Sequence, residues 1–261
     1  MSYRLGVDVG GTFTDLVLVS PDGVARTCKV LSTTANYAEA IIAGIRELTA
    51  QAGIAARDIG EIIHGTTVAT NAILERRGAR AGLLTTEGFR DLLEIGRLRL
   101  SRLYDLDFER PAPLVPRRWR REIRERMNHR GEVVTPLDRD GAAAAIDRLL
   151  AEGVESIAVC FLHAYANPAH EAQVGAMIRE RAPHVALTLS SEILPEMREF
   201  ERTSTAVTNA YVMPVMGRYL ASLEGELRAL EARAPLLIMQ SNGGVMTAEG
   251  GRQRPVHVIE S

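Results

Sequence analysis

Lysine is almost missing from this sequence of 261 residues: of 31 basic residues only Lys29 is lysine, and the rest are arginines. An arginine-favouring genome is the plain reading of that bias, but the chemical consequence is sharper. No Gly-x-x-x-x-Gly-Lys-Ser/Thr loop can be written, so a Walker-type ATPase is excluded. A Schiff-base mechanism would have to use Lys29 itself. Cysteine is scarce too, and Cys28 and Cys160 lie too far apart in sequence to suggest a metal-ligand cluster. Reduced thiols in a cytoplasmic protein are the default for such usage. The longest apolar run, around Ile157 to Leu162, falls far short of a membrane span. A strand pattern begins by Leu5 with no signal-peptide apolar region ahead of it. Charge of one sign is lacking as well, the net being −2. Neither a nucleic-acid nor a membrane partner is expected.

What is present is globular. The chain is 46% hydrophobic and 25% charged, too apolar for disorder and long enough for a substantial core. No solenoid-period repeat or low-complexity segment interrupts it. The pattern predicts strands over 4–9, 15–20 and 24–31, with Pro21-Asp22-Gly23 as a turn. Apolar residues at helical spacing predict a helix over 37–52, stopped by Gly53. A strand over 59–64, a helix over 68–77, a strand over 81–85 and a helix over 89–97 follow. Residues 97–130, rich in arginine and proline, read as irregular surface structure, a solvated face or strand edge in preference to a polyanion site. Regular pattern resumes with a helix over 138–152, a buried strand over 156–162, a helix over 170–181 and a strand over 185–189. A long helix from about 202 to 232 contains Pro214, where a kink or break is expected. Two strands, 236–240 and 256–259, close the pattern. Three antiparallel strands followed by alternating helices and strands make a layered α/β fold.

The strongest local signal is Asp8-Val9-Gly10-Gly11-Thr12-Phe13-Thr14-Asp15 at the first hairpin. Two glycines let backbone N–H groups approach an anion closely, and Thr12 and Thr14 add hydroxyls. Asp8, ending a buried strand, suits Mg2+ held directly or through water. Asp15 can orient the loop or approach the same ion. His64-Gly65-Thr66-Thr67 ends a strand and opens a helix, a place for an anion or carbonyl, for capping, or for both. Asn71 lies one turn from Thr67, lining the same face or tying it internally. His163 and His170 flank Asn167-Pro168, where a structural turn with histidines bonding backbone groups competes with catalysis. Arg202, near the start of the long helix, can pair with a carboxylate. Ser241-Asn242-Gly243-Gly244 follows a strand directly, where open α/β sheets bind ligands; a bare turn is the other reading.

A strand ending Asp-x-Gly-Gly-Thr resembles the first phosphate loop of the actin/Hsp70/sugar-kinase superfamily. The fuller form, Asp8 to Asp15, is similar to that of the ATP-dependent hydantoinase/5-oxoprolinase family. The stretches 64–78, 161–171, 201–205 and 240–244 resemble the same family, so the likeness runs from residue 8 to residue 244. It implies a ribonuclease H-like/actin-like ATPase lobe whose mixed sheet opens with three antiparallel strands, plus an additional α/β region. Residues 1–190 would be the N-terminal region and 191–261 the start of a core domain cut before a second lobe. The implied cofactors are ATP and Mg2+, with Asp8 and His64 catalytic, Asp8 also the metal ligand, and Gly10 to Asp15 on the phosphates. Thr66, Thr67, Asn71 and Ser241 to Gly244 would face the substrate. The implied function is nucleotide handling in a cyclic-amide hydrolase acting on hydantoin, 5-oxoproline or a related lactam, within an oligomer containing a hydantoinase B-type subunit. An acetone- or acetophenone-type carboxylase subunit carries the same motifs. A sugar kinase of the repressor/kinase kind is more distant, since its cysteine-rich zinc motif is missing; a non-catalytic nucleotide-binding regulator is a further reading.

Overall fold

The computed structural model of the protein describes residues 2–33, 36–97, 107 and 109–260. Strands β1 (Tyr3–Val9), β2 (Phe13–Val19) and β3 (Ala25–Leu31) form an antiparallel meander. Helix α1 (Tyr37–Ala52), β4 (Ile59–Thr66) and α2 (Val68–Leu74) follow. Next come β5 (Ala81–Thr86), the single turn α3 (Leu92–Ile95), β6 (Arg120–Ile123), β7 (Arg126–Met127), β8 (Val133–Thr135) and α4 (Arg139–Ala151). After these come β9 (Ser156–Cys160), α5 (Ala169–Arg181), β10 (Ala186–Leu189) and the short α6 (Ser190–Ile193). The chain continues through α7 (Glu199–Ala229), β11 (Leu236–Met239), β12 (Val245–Thr247) and α8 (Ala248–Gln253). Two compact units result, one of residues 1–78 with 215–261 and the other of residues 79–214. This spatial division interleaves with a linear cut at 190, because the C-terminal strands return to the sheet that the first strands begin.

The first unit is a mixed sheet in the order β12-β11-β4-β1-β2-β3. β1, β4 and β11 run parallel, and the outer pairings are antiparallel. Alternation along β1 buries Leu5, Val7 and Val9 and turns Arg4 and Asp8 to solvent, the mark of a sheet covered on one face. α1 supplies Ile41, Ile45 and Leu48 to that core, each within 1% of full burial. Burial of such side chains contributes roughly 1.5–3 kcal/mol apiece. The mixed sheet with its opening meander has the form of the actin-like ATPase lobe that the family resemblance implies.

The second unit is a parallel sheet, β10-β9-β5-β6. Every residue of β5 and β9 is buried, as strands covered on both faces require. Arg202 is fully buried there; it donates from Nε to Ser190 Oγ at 3.1 Å, from Nη1 to the Glu196 carbonyl at 2.7 Å and from Nη2 to the Phe161 carbonyl at 2.8 Å. Glu171, also buried, accepts from the Phe161 N–H at 2.9 Å and the Ser190 hydroxyl at 2.6 Å. Ser191 donates its N–H and its hydroxyl to the same carboxylate. The motifs at 161–171 and 201–205 therefore build one buried polar tie. His163 bonds the Met127 carbonyl at 2.9 Å and His170 the Glu125 carboxylate at 2.7 Å, both structural roles.

Several expectations need correction. The helix over 89–97 shrinks to α3, because Asp91 is held by Arg117 through two hydrogen bonds of 2.7 and 3.0 Å instead of leading a longer helix. Residues 256–259 form not a strand but part of a 3-10 turn over Pro255–Val258, where proline fits the first position. The closing strand is β12, which the sequence pattern missed. The arginine-rich stretch, of which 98–106 and 108 lie outside the described residues, supplies the edge strand β6, in keeping with the strand-edge reading, but its Arg120 is buried on the Val115 carbonyl at 2.9 Å instead of facing solvent. The expected break at Pro214 does not occur. α7 continues through it, and the full burial of Ala210, Val212 and Met216 offsets the lost backbone bond. The boundary between the two units falls at that proline.

Candidate functional site

Every candidate residue of the site belongs to the first unit. The loop Gly10-Gly11-Thr12 joins β1 to β2. The Gly10 N–H donates to the Phe13 carbonyl at 2.9 Å, and the Cβ of any larger residue there would lie 3.1 Å from that oxygen. Ser32 braces the loop from behind: its N–H donates to the Thr12 carbonyl and its hydroxyl to the Gly10 carbonyl, both at 2.9 Å. Ser32 Oγ also lies 2.9 Å from Thr14 Oγ1. Thr14 has no exposed surface, so its hydroxyl supports the loop and cannot face a ligand. Once these bonds are counted, the N–H groups of Gly11 and Thr12 are without partners among the described residues. Both residues are exposed. Two consecutive free amides at a glycine turn are available to an anion.

Beside the loop a row of charged residues crosses three strands. Register sets Asp8 opposite Asp15 and Asp15 opposite Lys29, all on the face left open by α1. Asp15 Oδ1 lies 2.9 Å from Lys29 Nζ, whereas the Asp8 carboxylate has no partner among the described residues. Gly65, paired with Asp8 on β4, leaves room: a Cβ at that position would sit 3.3 Å from Asp8 Oδ1. A cavity of about 530 Å³ opens on this face, floored by Gly6, Val17, Ile63 and Gly65, with Asp8 and Lys29 on its lining.

His64 lies on the other face. It pairs with Val7 in the parallel register, one residue out of step with Asp8 and Gly65, and a one-residue step reverses the side chain. It is 1% exposed, and its Nε2 is 2.6 Å from the Tyr219 hydroxyl of α7. Burial pushes its pKa down to about 4 against a smaller opposing pull from the Val7 backbone, so the ring is neutral at pH 7. Burial likewise raises the Tyr219 phenol, which also bonds the Thr66 side chain. The structure therefore separates the two residues expected to be catalytic, placing them on opposite faces of one sheet.

The β4–α2 junction does reach the loop. Thr67 donates its hydroxyl and its N–H to the Val9 carbonyl at 3.0 and 3.1 Å, and Asn71 Nδ2 donates to Thr67 Oγ1 at 3.3 Å. The amide of Asn71 is thereby carried to 3.8 Å from the position of a Cβ on Gly11. Thr66, fully buried, accepts from the Val68 N–H at 3.2 Å at the start of α2. Ser241 to Gly244 form the hairpin turn between β11 and β12. Ser241 Oγ donates to the His257 carbonyl at 3.0 Å and to the Ile259 carbonyl, and Asn242 Oδ1 accepts from the Gly244 N–H at 2.9 Å. The hydroxyl of Ser241 is thus spent on the C-terminal turn, and Asn242 and Gly243 stay exposed. Sequence reasoning missed Ser32 and Tyr219 altogether, for serine and tyrosine at such positions carry no local signal.

The model of the hydantoinase/oxoprolinase N-terminal region matches residues 4–182, and the hydantoinase/oxoprolinase model matches residues 202–261. The chain belongs to the hydantoinase/oxoprolinase family. It is 38% identical to caprolactamase subunit alpha of Pseudomonas jessenii, over 99% of this chain and 38% of that protein. The crystal structure of ATP-dependent caprolactamase from the same organism superposes with a TM-score of 0.91, covering 98% of this chain and 38% of that one at 38% identity. A nucleotide-free acetone carboxylase, from work on ATP-dependent acetone carboxylation, gives a TM-score of 0.90 at 26% identity, over 100% of this chain and 39% of that one. The chain thus spans less than half the length of these relatives.

For a family of ATP-dependent enzymes the donor set at Asp8 is informative. No group of three or more His, Cys, Asp or Glu residues able to hold a metal occurs among the described residues. One free carboxylate beside two free amides fits Mg2+, which binds through one or two carboxylates plus substrate phosphates. No helix among the described residues is long and apolar enough to cross a membrane.

Proposed function

We propose that this chain forms the nucleotide-handling region of an ATP-dependent cyclic-amide hydrolase acting on hydantoin, 5-oxoproline or a related lactam. The observation that carries this reading is the tip of the first hairpin, where Ser32 takes up the Gly10 and Thr12 carbonyls and pairs with the Thr14 hydroxyl. What remains free there is the Gly11 and Thr12 amides, the Thr12 hydroxyl and the Asp8 carboxylate. Bound Mg-ATP would supply the phosphoryl group that activates the ring carbonyl towards water. Asp8 would hold the metal, and the backbone from Gly10 to Asp15, with the exposed Thr12 hydroxyl and Phe13 ring, would border the phosphates. His64, behind the sheet, positions the β4–α2 junction through Tyr219 and Thr66 instead of touching substrate. Asn71 and the exposed part of the 241–244 turn are the substrate-side groups. Residues 1–190 then serve as the N-terminal region and 191–261 as the opening of the core domain. A hydantoinase B-type subunit completes hydrolysis within a cytoplasmic oligomer.

The likeness to acetone carboxylase, with a TM-score of 0.90, favours a second reading in which the same loop serves ketone carboxylation. The full-length protein and its partner subunit, assayed for ADP release with hydantoin, 5-oxoproline, ε-caprolactam, or acetone plus bicarbonate, decide between them. Release dependent on a cyclic amide is expected. Release with acetone and bicarbonate alone selects the carboxylase, and none with any substrate refutes both.

A further inference from the structure

The single lysine of the sequence stands at the end of the charged row beside the loop. Thirty other basic positions are arginine, yet the residue that reaches Asp15 from β3 is a compact, flexible ammonium. Its Nζ is 2.9 Å from Asp15 Oδ1 and 5.1 Å from the centre of the Phe13 ring. Both partners of the ion pair are more than half exposed, and exposed pairs of this kind contribute little to stability. The pair therefore does little for the fold. Position gives it another use. Lys29 shares an open cavity with Asp8 and Gly65, and Phe13, over which it lies, directly follows the loop with the free amides. Lysine binds phosphate as a point charge on a mobile stem.

We propose that Lys29 contacts the terminal phosphate of the bound nucleotide, resting on Asp15 until the nucleotide arrives. The proposal rests on the nucleotide reading above. It also explains how a site without a P-loop lysine obtains a mobile positive charge beside its phosphates. A competing role is neutralisation of Asp15, which would spare the phosphates a second bare carboxylate without any contact.

The test uses the full-length protein, with Mg2+ and a non-hydrolysable ATP analogue, followed by calorimetry. Lys29→Met is expected to weaken the analogue about tenfold or more, the scale of one charged hydrogen bond, and to change ADP affinity less than twofold. Lys29→Arg should recover part of the loss. Circular dichroism should be unchanged, since the side chain is exposed. In the double variant Asp15→Asn/Lys29→Met the analogue should remain weak. An acyl-phosphate derivative of ATP should label the peptide that carries Lys29, and ATP should block the labelling. Equal affinity in the Lys29→Met variant, equal losses for analogue and ADP, or recovery in the double variant overturns the proposal. If the wild-type protein binds neither nucleotide, the nucleotide reading itself fails and the proposal with it.

Discussion

His64 makes a quantitative case for a structural role in a motif expected to be catalytic. Its ring is buried against Tyr219 with a pKa near 4, while an unfolded chain carries histidine near 6.5. Between those values the unfolded state binds the extra proton, so stability falls as pH drops from 6.5 towards 4 and is fully present above pH 7. Integrating that linkage gives a loss of about 2 kcal/mol at pH 5, approaching about 3 kcal/mol below pH 4. His64→Gln keeps a polar group near the Tyr219 hydroxyl but removes the titration. The variant should be less stable at pH 7, and its additional loss between pH 7 and pH 5 should be smaller than that of the wild type by about 2 kcal/mol. Urea unfolding followed by far-ultraviolet circular dichroism at the two pH values reads the difference. An identical pH dependence in both proteins, or an imidazole titrating near 6.5 by NMR, would refute the assignment of His64 as a neutral buried brace.

Three further outcomes follow from the same geometry. Asp8→Ala should abolish substrate-dependent ADP release by the full-length enzyme while shifting unfolding by no more than about 0.5 kcal/mol, because the carboxylate is exposed and unpaired; wild-type turnover excludes a catalytic metal at this carboxylate. Thr14→Val should cost about 1 kcal/mol of stability and weaken nucleotide binding through the loop, since it removes the hydroxyl beside Ser32 without changing size; unchanged affinity in calorimetry removes the bracing argument. Arg202→Met should destabilise the second unit by about 3 kcal/mol by stripping donors from the buried Phe161 carbonyl and Ser190 hydroxyl. Fluorescence of Trp119, within that unit, follows its unfolding, and a loss below 1 kcal/mol contradicts the reading.

The first hairpin was legible in sequence for a physical reason. A glycine pair between alternating apolar residues permits little other than a tight turn at the end of a strand. α1 was equally legible, its observed limits of Tyr37 and Ala52 following from apolar spacing and a glycine stop. Local reasoning failed where distant partners decide. Asp91 is captured by Arg117, twenty-six positions away, and Arg120 is drawn into the interior by the Val115 carbonyl.

By itself the sequence determined the layered α/β pattern, the family likeness, the glycine-threonine loop and the exclusion of a lysine-based P-loop. These are properties of neighbouring residues, readable from turn chemistry and spacing. Only the tertiary structure decided which candidates share a surface. The parallel register of β1 and β4 sets Asp8 with Gly65 and turns His64 to the covered face with Tyr219. The pairing of β2 with β3 brings Lys29, fourteen residues along the chain, onto Asp15. Side chains alternate between faces at every residue, so a motif read in one dimension cannot say which of its members meet. Strand register does.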